Sequence, residues 1–218
     1  MFHFKFLIIV FFVMSHSHTM AQSIDASSCE KLKKESITKL NNLVNEIKSF
    51  SDYNNNIHLA KIIFPEFITF SFLQNLGEIT FISINHQANN ERFKTVSFGP
   101  FQMQLNFIDY YLVNSDKSNL SDTILLSYTK SNFEYLINNI YHLNKLETQW
   151  KILNLYYSTE RKSLKKMKEI ESMPLLIRKY NSGTTDISKN QKLFSKITCR
   201  NQTYEKWCNE INSWIDKH

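Results

Sequence analysis

The chain has 218 residues, with 26 lysines and arginines against 20 aspartates and glutamates, for a formal charge of +6. That length suits one domain around a single core, and with only three glycines and three prolines the composition disfavours a turn-rich β-sandwich and favours helices. A lysine-dominated basic surface fits an anionic cell-surface polymer better than nucleic acid, although a solvated surface with no specific partner has the same composition.

The first elements belong to export. Lys5 opens the chain with a weak positive charge, Phe6 to Met14 is an unbroken apolar run, and Thr19-Met20-Ala21 offers a small residue at a cleavage site. A span of the bilayer takes about 20 apolar residues, so this run is too short for one. Residues 1–21 are therefore expected to be a cleaved signal peptide, and the mature chain, starting at Gln22, to be periplasmic or secreted. Lipid attachment at Cys29 is the minor alternative, disfavoured by Asp25-Ala26-Ser27-Ser28 before it. No later segment is apolar for long enough to cross a membrane, so residues 22–218 are expected to form one soluble, monomeric, mainly helical domain.

From Ser27 the pattern is helical. Ser27 and Glu30 have capping-box spacing, and Leu32, Ile37, Leu40, Leu43, Val44, Ile47 and Phe50 form one apolar stripe. After the polar break Asp52 to Asn56, Ile57 to Leu76 reads as a helix kinked at Pro65, because an interior proline removes a hydrogen bond at a cost of roughly 3 kcal/mol. Ile79 to Asn85 fits either helix or a short strand, and Asn85 to Lys94 reads as a loop. Gly99-Pro100 then reads as a helix start leading into Phe101, Leu105, Ile108 and Leu112. A loop over Val113 to Asp122 follows.

Ser131 and Glu134 make a second capping box before Phe133, Leu136, Ile137, Ile140 and Tyr141. Trp150 to Met167 continues as helix, and its basic run Arg161 to Lys168 fits an exposed helix face. A further helix beginning near Pro174 stops at Asn181-Ser182-Gly183. Tyr204, Trp207, Ile211, Trp214 and Ile215 line a last helix. Cys199 and Cys208 lie close enough to close a small disulfide loop in an oxidising compartment, with Cys29 left over unless it is the one that pairs. His58, His86 and His142 are scattered without ligand spacing, so neither a metal nor another cofactor is expected.

Three places carry possible chemistry. Glu66 follows Pro65 inside Ile62-Ile63-Phe64-Pro65-Glu66-Phe67; a carboxyl among apolar neighbours resists ionisation, as a general acid near neutral pH must. In Ser97-Phe98-Gly99-Pro100-Phe101-Gln102-Met103-Gln104, glycine allows close approach of backbone to a ligand. The Gln102 amide there can donate to and accept from a sugar N-acetyl group. Arg178-Lys179-Tyr180-Asn181-Ser182-Gly183 is by itself only a helix end.

Taken in order, these segments resemble the soluble lytic transglycosylase domain and its goose-type lysozyme relatives in the lysozyme-like superfamily. That family has a glutamate on an apolar helix, then Gly-Leu-Met-Gln, then Ala-Tyr-Asn-Ala-Gly. Leu59 to Glu66, Gly99-Pro100-Phe101-Gln102 and Tyr180-Asn181-Ser182-Gly183 are similar to the three, so the likeness covers roughly residues 58–183. Phe67 stands where the family has serine, Pro100 replaces leucine, and the stretch from Glu66 to Gly99 is longer than usual. Glu78, after Gly77, lies nearer the family spacing and is the fallback for the acid.

The resemblance implies a lysozyme-type fold, mainly α, with a groove that binds peptidoglycan glycan strands. It implies cleavage between N-acetylmuramic acid and N-acetylglucosamine, with Glu66 as the single general acid and base and a 1,6-anhydro product. A hydrolase would usually add a second acid to place water. By the same resemblance the substrate-binding residues are Gly99, Gln102, which holds a sugar or shapes the groove, Tyr180, which orients the glutamate, and Asn181, which binds near the scissile bond. An inactive descendant that binds peptidoglycan or an envelope protein is the alternative.

Overall fold

The computed structural model describes residues 26–50, 59–69, 71–182, 198–199, 202–203 and 213. The signal-peptide expectation for residues 1–21, the Cys199–Cys208 disulfide and the helix expected over residues 204–215 lie outside them, apart from the backbone of Cys199 and one residue, Ser213. Among the described residues the protein is mainly helical, and no helix is long and apolar enough to cross a membrane.

The apolar stripe read from the sequence builds α1, Ala26–Lys48, whose Leu40, Leu43 and Ile47 are buried. The next apolar segment is two helices rather than one kinked helix: α2, Ala60–Thr69, and α3, Phe72–Gln87. Pro65 is the sixth residue of α2 and does not end it. An interior proline removes one intrahelical N–H bond, and the helix continues through it to Thr69. The chain breaks instead before α3, where Ser71 takes an extended conformation as its N-cap residue. Residues 79–85 are helical, so of the two readings helix is the one adopted.

Part of the expected loop over 85–94 is ordered as a 3-10 helix, Glu91–Thr95, capped by the Asn90 side chain, which accepts from the Arg92 N–H. Beyond it lies the main departure from the sequence expectation. Gly99-Pro100 does not open a helix; it forms the turn of a β-hairpin. Strand β1, Ser97–Phe98, pairs antiparallel with β2, Met103–Gln104, with Ser97 opposite Gln104 and Phe98 opposite Met103. Gly99 has φ +78 and Gln102 φ +52, left-handed values incompatible with a helix, and the Gln102 N–H closes the turn on the Gly99 carbonyl at 3.0 Å. Helix α4, Leu105–Asn114, starts only after the hairpin.

Three short helices follow: α5, Thr123–Ser127, α6, Phe133–Asn138, and α7, Ile140–Leu143. The cap of α6 is Asn132, one residue after the expected Ser131; its side chain accepts from the Tyr135 N–H at 3.0 Å. Asp122 caps α5 through Ile124 and Leu125 N–H and also meets His142 at 2.9 Å. Helix α8, Leu146–Ser163, begins earlier than expected and is buried on most of its circumference, from Thr148 through Tyr156 to Glu160. A helix buried nearly all round forms the centre of a core, and α4 packs along it.

Helix α9, Glu169–Ser182, starts ahead of Pro174 and packs chiefly on α2. A small antiparallel pair, β3, Thr198–Cys199, and β4, Gln202–Thr203, completes the described chain. Phe107 of α4, Tyr156 of α8 and Tyr180 of α9 meet with ring centroids 5.2–5.6 Å apart. Contacts of that kind favour tilted or edge-to-face geometry, which fixes where Tyr180 sits. Beside them Glu160 is buried and engages the Tyr111 hydroxyl at 2.6 Å and the Lys179 ammonium.

Candidate active site

The hairpin turn is the hub of the site, and three buried side chains from three helices hold it. From α3, the Asn75 Oδ1 accepts the Gly99 N–H at 2.7 Å, while its Nδ2 donates to Asn144 Oδ1 at 3.0 Å. From α8, the fully buried Gln149 accepts the Phe101 N–H through Oε1 at 2.8 Å and donates through Nε2 to the Phe98 carbonyl at 3.1 Å. From α9, the Tyr180 hydroxyl donates to the Phe101 carbonyl at 2.7 Å. Polar backbone in a core must be paired, and here side chains do it because the turn has no strand beside it.

Gly99 is required at its position for two reasons. Its φ of +78 favours glycine, and a Cβ there would lie 1.9 Å from Gln149 Nε2. The turn also directs Gln102 onto α3. The Gln102 Nε2 donates to Glu78 Oε2 at 3.1 Å and to the Gly99 carbonyl at 3.0 Å. The other oxygen of Glu78 accepts from Gln74 Nε2, one helical turn earlier, at 2.8 Å. Burial raises the Glu78 carboxyl above the ordinary range, and the two amide donors act in the opposite sense by favouring its charged form.

Glu66, near the C-terminal end of α2, completes the group. Burial raises its carboxyl, and the negative charge of Glu78 raises it further. Tyr180 lies close enough to Glu66 for the carboxylate to push its hydroxyl up, in addition to the larger effect of burial. Phe67 packs edge-to-face on Phe101 with centroids 6.2 Å apart, so the turn carrying Gln102 and the end of α2 are joined by an aromatic contact.

Glu66, Glu78, Gly99, Gln102 and Tyr180 are thus gathered around one turn from four separate parts of the chain. The Asn181 side chain lies outside the described residues, although its backbone belongs to α9. Both Glu66 and Glu78 belong to the group, where the sequence reading chose between them. The amide N–H of Gln102 is directed to Glu78 and the Gly99 carbonyl, and the Tyr180 hydroxyl to the hairpin backbone. Asn75, Gln149 and Gln74 were not singled out from the sequence. The signal for the first two is a carboxamide in or directly before an apolar helical stretch, Phe72 to Leu76 for Asn75 and Trp150 to Tyr157 for Gln149, which must find partners if buried.

A carboxyl that burial raises, as it does Glu66, holds its proton more tightly than an ordinary glutamate and can deliver it to a leaving oxygen. No family model, no curated protein and no solved structure matches this chain.

Proposed function

We propose that the chain is an exported peptidoglycan-cleaving enzyme of lysozyme-like fold, acting as a lytic transglycosylase on the bond between N-acetylmuramic acid and N-acetylglucosamine. The observation that supports this reading is the convergence of three sequence segments, in the family's order, on one turn beside a glutamate whose carboxyl burial raises. Glu66 donates its proton to the glycosidic oxygen, the C1–O bond breaks, and positive charge develops on the muramyl ring. The Glu66 carboxylate then takes the proton of the C6 hydroxyl as that oxygen closes on C1, giving the 1,6-anhydro sugar. The acid is regenerated with no external reactant.

Glu66→Gln tests the reading. Glutamine preserves size and hydrogen bonding but has no proton to give, and loss of general acid–base catalysis lowers rates by roughly 10²–10⁴-fold. Wild type is expected to release soluble anhydro-muropeptides from purified cell wall, and the folded variant, checked by circular dichroism, to release almost none. A variant with wild-type activity overturns the assignment of Glu66. Folded wild type that sediments with insoluble peptidoglycan and releases nothing is a binding module, not an enzyme.

A further inference from the structure

We infer that a cavity along one face of α8 is a second binding site, which takes a small organic carboxylate with an apolar body and an acyl oxygen, of the N-acyl amino acid class. The inference does not depend on the proposed function, because none of Glu66, Glu78, Gly99, Gln102 and Tyr180 lines this cavity. Residues three and four apart share one face of a helix, and Trp150, Asn154, Ser158 and Arg161 of α8 form one wall in this way. Phe50, just past α1, and Leu120, after α4, belong to the other. The volume is about 360 Å³, within the roughly 300–1,000 Å³ of small-molecule sites, and the lining reaches solvent at Asn119 and Lys162, which are exposed.

Trp150 is 1 % exposed, and among the described residues its Nε1 is the one buried side-chain nitrogen or oxygen with no hydrogen-bond partner. Buried donors are paired in folded proteins, and an indole N–H can only donate, so this wall of the cavity calls for an acceptor oxygen. The basic run that begins at Arg161 supplies the charge. Arg161 is engaged by the Leu164 and Met167 carbonyls at 2.9 and 3.0 Å, and Lys151 by Glu147 at 2.9 Å. Lys162 and Lys165 are exposed and form no ion pair among the described residues. The lining thus carries Lys151, Arg161, Lys162 and Lys165 against Asp116 and Glu147, an excess of two positive charges. A carboxylate suits that balance, whereas a phosphate dianion meets the same two acids with twice the charge. Phe50, Leu120 and Tyr157 supply apolar lining for the body of the ligand. In the complex the Trp150 N–H donates to the acyl oxygen, and Lys162 and Lys165 attract the carboxylate.

The indole N–H signals of the nitrogen-15-labelled full chain test this without any activity assay. The chain has three tryptophans, and Trp207→Phe and Trp214→Phe assign the Trp150 signal by elimination without changing a cavity residue. N-acetylleucine is the probe, and a ligand of that size is expected to bind with a Kd of about 1–10 mM. Its titration is expected to move the Trp150 indole proton downfield, saturably, as a new hydrogen bond does. N-acetylleucine amide, which lacks the charge, and inorganic phosphate, which lacks the apolar body, are expected to bind more weakly. Replacing both exposed lysines, Lys162→Gln with Lys165→Gln, is expected to weaken N-acetylleucine binding roughly two- to thirtyfold. A Trp150 signal that N-acetylleucine leaves in place, or moves only together with both other indoles, overturns the site. Equal binding of the amide, or an affinity unchanged in the double variant, overturns the carboxylate, and an equal response to phosphate overturns the class of ligand.

Discussion

Gly99→Ala is the sharpest test of how the site is held. The new methyl carbon would stand 1.9 Å from Gln149 Nε2 and 2.6 Å from its Cδ, so the carboxamide cannot stay in place. Gln149 makes two hydrogen bonds to the hairpin, to the Phe101 N–H and the Phe98 carbonyl, and displacing it leaves two buried backbone groups unpaired. Each costs about 1–3 kcal/mol, and holding alanine in the left-handed region costs roughly 1–2 kcal/mol more. The combined loss is therefore about 3–8 kcal/mol, a large part of the roughly 5–15 kcal/mol that keeps a domain folded.

Thermal unfolding followed by circular dichroism reads this directly. One kcal/mol moves the midpoint by about 2–4 °C in a chain of this size, so even the smallest loss lowers it by about 6 °C. Gly77→Ala is the matched control. It lies within α3, nothing is within 4 Å of the added methyl, and removing a helix-interior glycine stabilises by roughly 0.5–1 kcal/mol. A Gly99→Ala protein as stable as wild type would show that the Gln149–hairpin arrangement is wrong. Two variants shifted equally would show that the glycines are not distinguished by tertiary packing.

Glu66→Gln should also alter the pH dependence of stability. A carboxyl raised in the folded state above its ordinary value of 4.5 binds its proton more tightly there than in the unfolded chain, so its contribution is present at low pH and lost as pH rises through the folded value. In urea unfolding the variant is expected to gain on wild type as pH rises above the ordinary value of 4.5; a gap independent of pH would mean that folding does not raise the Glu66 carboxyl. Tyr180→Phe removes the donor to the Phe101 carbonyl and is expected to cost about 1–3 kcal/mol, measured by the same method, and an unchanged midpoint would place the hydroxyl elsewhere.

Much of the helical framework was legible in the sequence because it depends on local periodicity. The stripe through Leu40, Leu43 and Ile47 predicts α1, and the basic-to-Gly stretch after Ile177 predicts the end of α9 near Ser182. The boundaries were less legible. The proline in α2 was read as a kink within one long helix, yet the helix runs through it and the chain breaks instead before α3, at the extended Ser71. The turn at Gly99-Pro100 was misread for a similar reason. Proline after glycine is a good helix start, and only the positive φ at both Gly99 and Gln102 excludes one here.

The candidate site divides in the same way. Glu66, Gly99 and Gln102 were visible as residues in apolar or turn settings, because burying a carboxyl or fixing a glycine leaves a mark on the neighbouring residues, whereas Glu78 and Tyr180 were picked out only through the resemblance. What tied them together left none. Asn75 and Gln149 bond to backbone groups 24 and 48 residues away, and hydrogen bonds at that separation have no sequence period. The sequence by itself determined a helical chain with its candidate acids in place. Only the tertiary structure decided that both acids share one electrostatic neighbourhood and that Gln102 donates to Glu78, because burial and charge act through space and not along the chain.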